Sequence, residues 1–403
     1  MTQKKYLVTI VLLISATGLA KPITGRKGMV SSAHPSATQA GVTMLRLGGN
    51  AADAAAATAF ALAVVEPYSS GIGGGGFALT SFQGEQEFFD FREVAPKLAQ
   101  RDMYIRNGKP NNILSRDGVL SIAVPGAVAG YLQLQKELGT LTRKQILAPA
   151  IELASNGFAV TPRYIRYVNK RLQLLRQDPE LCRIFLVQDE NGDFSAPEVG
   201  YILKQPDLAE TLKSIAEQGA DVFYSGSIAR KIATDIQNRE GLITLDDLAS
   251  YTLRKRKPLV GTYRGHAIVS SPPPSSGGQI LLTLLNIMET LPPSTPWRSG
   301  EALHLYIEGS KRAFADRAFL GDPLFVPYVP KLIPLLVQKD RAKLVAQVIT
   351  DNAEPATSIP AGQGSAMFPD IPVPKGGSQS DGKDTTHLSV IDKNGNAVAL
   401  TTT

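Results

Sequence analysis

Apolar and polar positions alternate through the end of the chain, with Leu388 and Val390 in one run, Val398 and Leu400 in a second, and Asn394-Gly395 between them. Alternation of this kind marks strands with one buried face, and Asn-Gly between two such runs marks a β-hairpin. A three-residue loop, Lys393-Asn394-Gly395 with Gly395 left-handed, pairs Asp392 with Asn396. It sets Leu388 opposite Leu400 and Val390 opposite Val398, so one face is apolar on both strands. A slip of one residue would put Leu388 against Thr401 and spoil that face. In the favoured register Thr385 lies opposite Thr403, on the face away from Leu388 and Val390. Thr402 falls on the Leu400 face and is expected to be catalytically silent.

Upstream the period changes. Ser36-Ala-Thr-Gln39 reads as a capping box opening a helix that ends at Gly48-Gly49. Asn50 then caps a second helix, Ala51 to about Val65, almost all small and apolar. A helix apolar on every side is buried, which makes this a central core element. Phe77–Thr80 and Glu85–Phe91 read as neighbouring strands. Thr142 with Gln145 forms a further capping box, and residues 160–260 alternate helical patterns with polar turns. An apolar helix, Ile280–Leu291, and one capped by Ser299 and running to about Phe319 follow. Strands at both ends around a helical middle predict an α+β fold.

Composition acts mainly by exclusion. With 403 residues, 43% of them hydrophobic, the chain is long enough for a large core and for two domains. The net charge is +6, but basic residues are scattered, which argues against nucleic acid as a partner. His34, His266, His304 and His387 are far apart and match no metal-ligand spacing, so no metal site is expected. The single cysteine, Cys182, excludes an intramolecular disulfide and reads as a small buried hydrophobe. Lys4 and Lys5 precede an apolar run from Leu7 to Ile14, and Gly18 and Ala20 supply small residues before Lys21. Residues 1–20 therefore read as a secretory signal peptide. The apolar run is shorter than the roughly 20 residues of a membrane span, which argues against an uncleaved anchor. No later segment reads as a span, and the expected location is secreted or periplasmic.

Three stretches bear on chemistry. Ser69-Ser-Gly-Ile-Gly-Gly-Gly-Gly76 matches no phosphate-binding pattern and reads as a loop needing unusual backbone angles where chains approach closely. Ser271-Pro-Pro-Pro-Ser-Ser-Gly-Gly278 reads as a fixed loop and is assigned no catalytic residue. Residues 351–384, rich in Pro, Gly and Ser, read as a flexible linker ahead of the hairpin. A cut between Asp384 and Thr385 would give Thr385 a free α-amine, a recognised base for a hydroxyl nucleophile. The plain alternative is a structural pair of threonines across two strands. Arg92, in Asp90-Phe-Arg-Glu-Val-Ala-Pro96, is on its own a surface arginine paired with Asp90 or Glu93.

Thr385-Thr-His-Leu-Ser-Val-Ile-Asp-Lys-Asn-Gly-Asn-Ala-Val-Ala-Leu400 closely resembles the start of the small subunit of bacterial γ-glutamyltranspeptidases, which are N-terminal-nucleophile hydrolases. The glycine run, the Phe91-Arg-Glu-Val-Ala-Pro96 stretch, Gly48-Gly-Asn-Ala51 and Glu240–Leu248 are similar to parts of that family's large subunit, so the resemblance runs from about Gly28 to Thr403. It implies a four-layer αββα sandwich, with residues 21–384 as large-subunit region and 385–403 as the start of the small subunit. It implies that the precursor cuts itself at Asp384/Thr385, and that Thr385 attacks γ-glutamyl amides such as glutathione. Water, or an amino acid or peptide amine, would then accept the acyl group. The resemblance gives Thr403 the role of orienting Thr385, and gives Arg92 the α-carboxylate of the γ-glutamyl group. It implies no cofactor, and its macromolecular partner is the small subunit of the same precursor.

In that family the small subunit continues well beyond the position of Thr403. It carries an acidic residue for the substrate's α-amine, a Ser-Ser pair and a Gly-Gly oxyanion hole. Loss of a single oxyanion donor costs about 10²–10³ in rate, so this chain alone is expected to be an inactive fragment, its sandwich incomplete at the C-terminal end. Two other readings stand beside this one: a cephalosporin acylase-like amidase, and an exported binding or scaffold protein without chemistry. Arg92 favours an amino-acid-like acyl group over the first.

Overall fold

The computed structural model describes residues 23–364 and 385–403. The expected signal peptide and Asp384 lie outside the described residues. At the centre is an antiparallel sheet of six strands: β1 (Gly28–Ser31), β2 (Gly76–Phe82), β3 (Glu85–Asp90), β4 (Arg254–Arg256), β5 (Thr386–Asp392) and β6 (Ala397–Thr402). Their spatial order is β1-β5-β6-β2-β3-β4. The hairpin at the end of the chain is therefore the middle of the sheet, completed on both sides by strands from the other end.

The hairpin has the register that alternation predicts. Leu388 pairs with Leu400 and Val390 with Val398. The Asp392 amide donates to the Asn396 carbonyl at 2.9 Å across the three-residue loop, and Gly395 takes a φ of +81° that a side chain would resist. Asp392 does more than pair: its carboxylate accepts from the amides of Asn394 and Asn396, and from the Ala51 amide at the start of the core helix. One acid thus holds the turn and ties it to the element beneath.

That element is α2 (Ala51–Val65), preceded by α1 (Pro35–Arg46). Every residue of α2 is buried, as its all-round apolar pattern requires. Its alanines let the sheet approach closely on one side, where Leu388, Val390, Val398 and Leu400 share its core. Full burial of each such side chain stabilises by roughly 1.5–3 kcal/mol. Asn50 and Asp53 form the expected reciprocal cap, and Asp53 also accepts from the amides of Thr140 and Leu141, just beyond α3 (Ala127–Leu138). The first cap differs from expectation. Pro35 occupies the first helical turn and moves the cap back to His34, whose Nδ1 accepts from the Ser36 amide at 3.2 Å. Ser36 is thus inside the helix. The caps expected at Thr142 and Ser299 are present, and Cys182 is buried.

Helices Gly277–Met288, Gly300–Ala315, Val329–Leu336 and Lys339–Gln347 form a second cluster with smaller apolar cores. Buried Arg312 bridges Glu308 and Glu354, and the Gly362 amide donates to Asp316. The stretch read as a linker is therefore held in place as far as Gly362, while residues 365–384 lie outside the described residues. Among the described residues no helix is long and apolar enough to cross a membrane. The sheet's other face carries Thr385, His387, Ser389 and Ile391, and leaves Ile391 and Met29 exposed. The described residues thus build the main sheet with a helical layer on one face, together with the second helical cluster and four two-stranded sheets.

Candidate active site

Thr385 immediately precedes β5 and Thr403 immediately follows β6, so pairing of the strands brings the two hydroxyls together at the sheet's open end. Thr385 Oγ1 and Thr403 Oγ1 lie 2.9 Å apart. The glycine run explains how the end of β6 is held. The Thr403 amide donates to the Gly75 carbonyl at 3.0 Å. A Cβ on Gly74 would fall 1.7 Å from the Thr403 carbonyl oxygen, and one on Gly76 would fall 2.2 Å from that of Thr401. The run is needed for close approach. Unusual backbone angles, the other half of the expectation, are not found, since none of Gly73 to Gly76 has a positive φ.

A cleft of about 610 Å³ opens over the two threonines. Its walls include Arg92, Glu93, Phe77, His387 and the serines Ser271 and Ser275. Arg92 is exposed, with its guanidinium 5.9 Å from the Phe77 ring centroid. Its backbone is fixed from both sides: the amide donates to Asp90 and the carbonyl accepts from the Tyr251 hydroxyl. The ion pair expected with Asp90 does not form, because Arg256 Nε takes that carboxylate at 2.6 Å. Among the described residues the Arg92 guanidinium makes no ion pair. The cleft thus brings an arginine with no ion-pair partner among the described residues into the same walls as the hydroxyl pair.

Sequence reasoning passed over four residues of the cleft. His387 follows Thr385 by two positions and so shares its face; its ring nitrogens contact Thr401 Oγ1 at 2.8 Å and Ser389 Oγ at 3.0 Å. Burial lowers its pKa from the ordinary histidine value, which keeps it neutral at pH 7. Strand parity could have found it. Ser271 donates to Ser275 at 3.0 Å, and Ser275 accepts from the Gly277 amide. Nothing local marked this loop, or Glu93, as part of a cleft. A larger cleft, about 750 Å³, lies at the turn end of the hairpin beside Asp392, Glu87 and Glu137, away from both threonines.

Thr402 has a structural role that strand parity does not reveal. It is buried, its hydroxyl donates to the Gly75 carbonyl at 2.9 Å, and the Tyr131 hydroxyl lies 2.6 Å away. Burial pushes the Tyr131 phenol far above its usual pKa, so it remains a neutral donor. Thr402→Val should strand both partners and lower stability by about 1–3 kcal/mol, read as a lower urea midpoint. An unchanged midpoint would mean that these two bonds carry no net stability.

Residues 37–403 match the profile of the γ-glutamyltranspeptidase family. The chain belongs to that family. It is 38% identical over 388 residues to the glutathione hydrolase proenzyme of Escherichia coli, covering 95% of this chain and 63% of that relative. It therefore spans under two thirds of that relative's length. It is also 37% identical to the Acylase ACY 1 proenzyme of Pseudomonas sp. strain V22, over 95% of this chain and 66% of that one. The γ-glutamyltranspeptidase of Helicobacter pylori superposes with a TM-score of 0.81 at 38% identity, covering 86% of this chain and 99% of that chain. The fold is accordingly the four-layer sandwich of N-terminal-nucleophile hydrolases, to which the sheet and its helical layer contribute.

Proposed function

We propose that the complete protein is an exported, self-cleaving γ-glutamyl transferase and glutathione hydrolase, with Thr385 as its nucleophile. The observation that carries this reading is the Thr385–Thr403 hydroxyl contact of 2.9 Å in the same cleft as Arg92, which makes no ion pair among the described residues. In maturation, Thr385 Oγ attacks the carbonyl carbon of Asp384 and the acyl group shifts from nitrogen to oxygen. Water then hydrolyses the ester, leaving Thr385 with a free α-amine. In turnover that amine takes the hydroxyl proton as Oγ attacks the γ-carbonyl of the donor. The donor's C–N bond breaks and its nitrogen leaves with a proton. Water, or an amino acid or peptide amine, attacks the acyl-enzyme and restores the hydroxyl. Thr403 holds the nucleophile's rotamer, and Arg92 grips the donor's α-carboxylate through two parallel hydrogen bonds. The small subunit of the same precursor supplies the remainder of the site, and location is periplasmic or secreted.

The similarity to an acylase proenzyme makes a side-chain amidase the second reading. The two are separated by comparing γ-glutamyl p-nitroanilide with glutaryl p-nitroanilide, which keeps the carboxylate but lacks the α-amine of an amino acid. A kcat/KM at least about 100-fold higher for the γ-glutamyl compound is expected, since a site built to bond polar groups rejects an analogue lacking them. Preference for the glutaryl compound would establish the acylase reading instead.

A further inference from the structure

Behind the exposed pair Thr385–Thr403 lies a second pair, Thr386 and Thr402, opposite each other in register and both buried. Thr402 is held by Gly75 and Tyr131, as described above. Thr386 is held by something more unusual: its hydroxyl donates to Glu66 Oε2 at 2.9 Å, 320 residues away in sequence. Glu66 is fully buried and stands at the C-terminal cap of α2. Its other oxygen accepts from the Tyr68 hydroxyl at 3.2 Å and lies 3.7 Å from Arg163 Nη1.

A carboxylate is an unfavourable choice there on two counts. Burial strips water from its charge, and the negative end of the helix dipole opposes it. A neutral acceptor would satisfy the Thr386 hydroxyl without either cost. What the charge adds is a stronger and shorter hydrogen bond than a neutral acceptor provides. That strength matters at this position. Once the chain is cut before Thr385, that residue is a chain terminus, and termini fray unless tied down. Thr386 is the first buried residue after the cut and is tied through its side chain.

We propose that Glu66 is a positioning residue for the reaction proposed above: it anchors Thr386 and thereby fixes the backbone from which the Thr385 hydroxyl and α-amine project. Arg163 and Tyr68 keep its carboxylate oriented toward the strand. Glu66 reaches neither substrate nor nucleophile, so its effect falls on the chemical step and not on substrate binding.

The test uses the full-length protein, with γ-glutamyl p-nitroanilide hydrolysis and the cut at Thr385 as readouts. Glu66→Leu should lower kcat by about 10–100-fold, the loss expected from a small misplacement of a reacting group, with KM within about threefold of wild type. Glu66→Gln keeps a weaker, neutral acceptor and should give a kcat between those of Glu66→Leu and wild type. Thr386→Val, which removes only the hydroxyl, should reproduce the Glu66→Leu loss. The double variant should lose no more than the worse single, because both remove one link. A folded Glu66→Leu with wild-type kcat, a loss confined to KM, or multiplying losses in the double variant would overturn the proposal. Should Glu66→Leu fail to fold, Thr386→Val decides: kcat within about twofold of wild type rejects the positioning role. A wild-type protein with neither cut nor turnover would instead refute the functional reading, and the proposal with it.

Discussion

Thr385→Ala in the full-length protein is expected to leave one uncut chain and to lower γ-glutamyl p-nitroanilide turnover by at least about 10³-fold, the scale on which enzymes lose rate when a nucleophile is removed. Both effects have one cause. In the proposed reaction the hydroxyl that attacks the Asp384 carbonyl is also the one that attacks the donor, and alanine supplies neither. Thr385→Ser should cut and turn over at reduced rate, because it keeps the oxygen but loses the methyl that restricts its rotamers. Thr403→Ala is the milder companion. It removes the partner 2.9 Å from Thr385 Oγ1 but no core packing, since Thr403 is exposed. Maturation and turnover should both slow while the unfolding midpoint stays put. The decisive measurement is a denaturing gel with N-terminal sequencing. Two bands from Thr385→Ala, with a new N-terminus at position 385, would remove this hydroxyl from the maturation reaction.

Arg92→Lys should raise KM for the γ-glutamyl donor by about 10–100-fold with little change in kcat. A hydrogen bond to a charged group is worth about 1.5–3 kcal/mol, and each 1.4 kcal/mol is about tenfold in affinity. Lysine keeps the charge but cannot form the two-pronged grip. The free state matters as much as the bound one. Asp90, the acid nearest in sequence, is engaged by Arg256, which in turn reaches Asp322. Arg92 therefore does not have to break an ion pair to receive a carboxylate. Arg256→Ala should release Asp90 to compete for Arg92, raising KM although Arg256 is not one of the residues lining the cleft. Steady-state kinetics of both variants check the argument. An unchanged KM in Arg92→Lys would leave Arg92 as a solvent-facing side chain stacked near Phe77.

The hairpin, its register and the buried character of α2 were determined by the sequence alone. Each rests on a local period: alternation fixes which residues of a strand share a face, and an all-apolar helix has only the interior to occupy. From that parity the meeting of Thr385 with Thr403 followed, because both residues sit one step beyond paired strands. The resemblance added the roles and the family, and the match over residues 37–403 bears the family out. Tertiary structure decided what no period encodes. Whether Arg92 is free depended on which acid Arg256 would take, and that strand pairs with β3 from well over a hundred residues away. The glycine run is explained by carbonyl oxygens at the far end of the chain, where a Cβ at Gly74 would stand 1.7 Å from one. Parity gives a side chain's face but not its neighbours, so it did not show that Thr402 is a buried structural donor to Gly75 beside Tyr131. Glu66 is the extreme case. No local pattern pairs it with Thr386; only the packing of β5 over α2 brings the buried carboxylate within 2.9 Å of that hydroxyl.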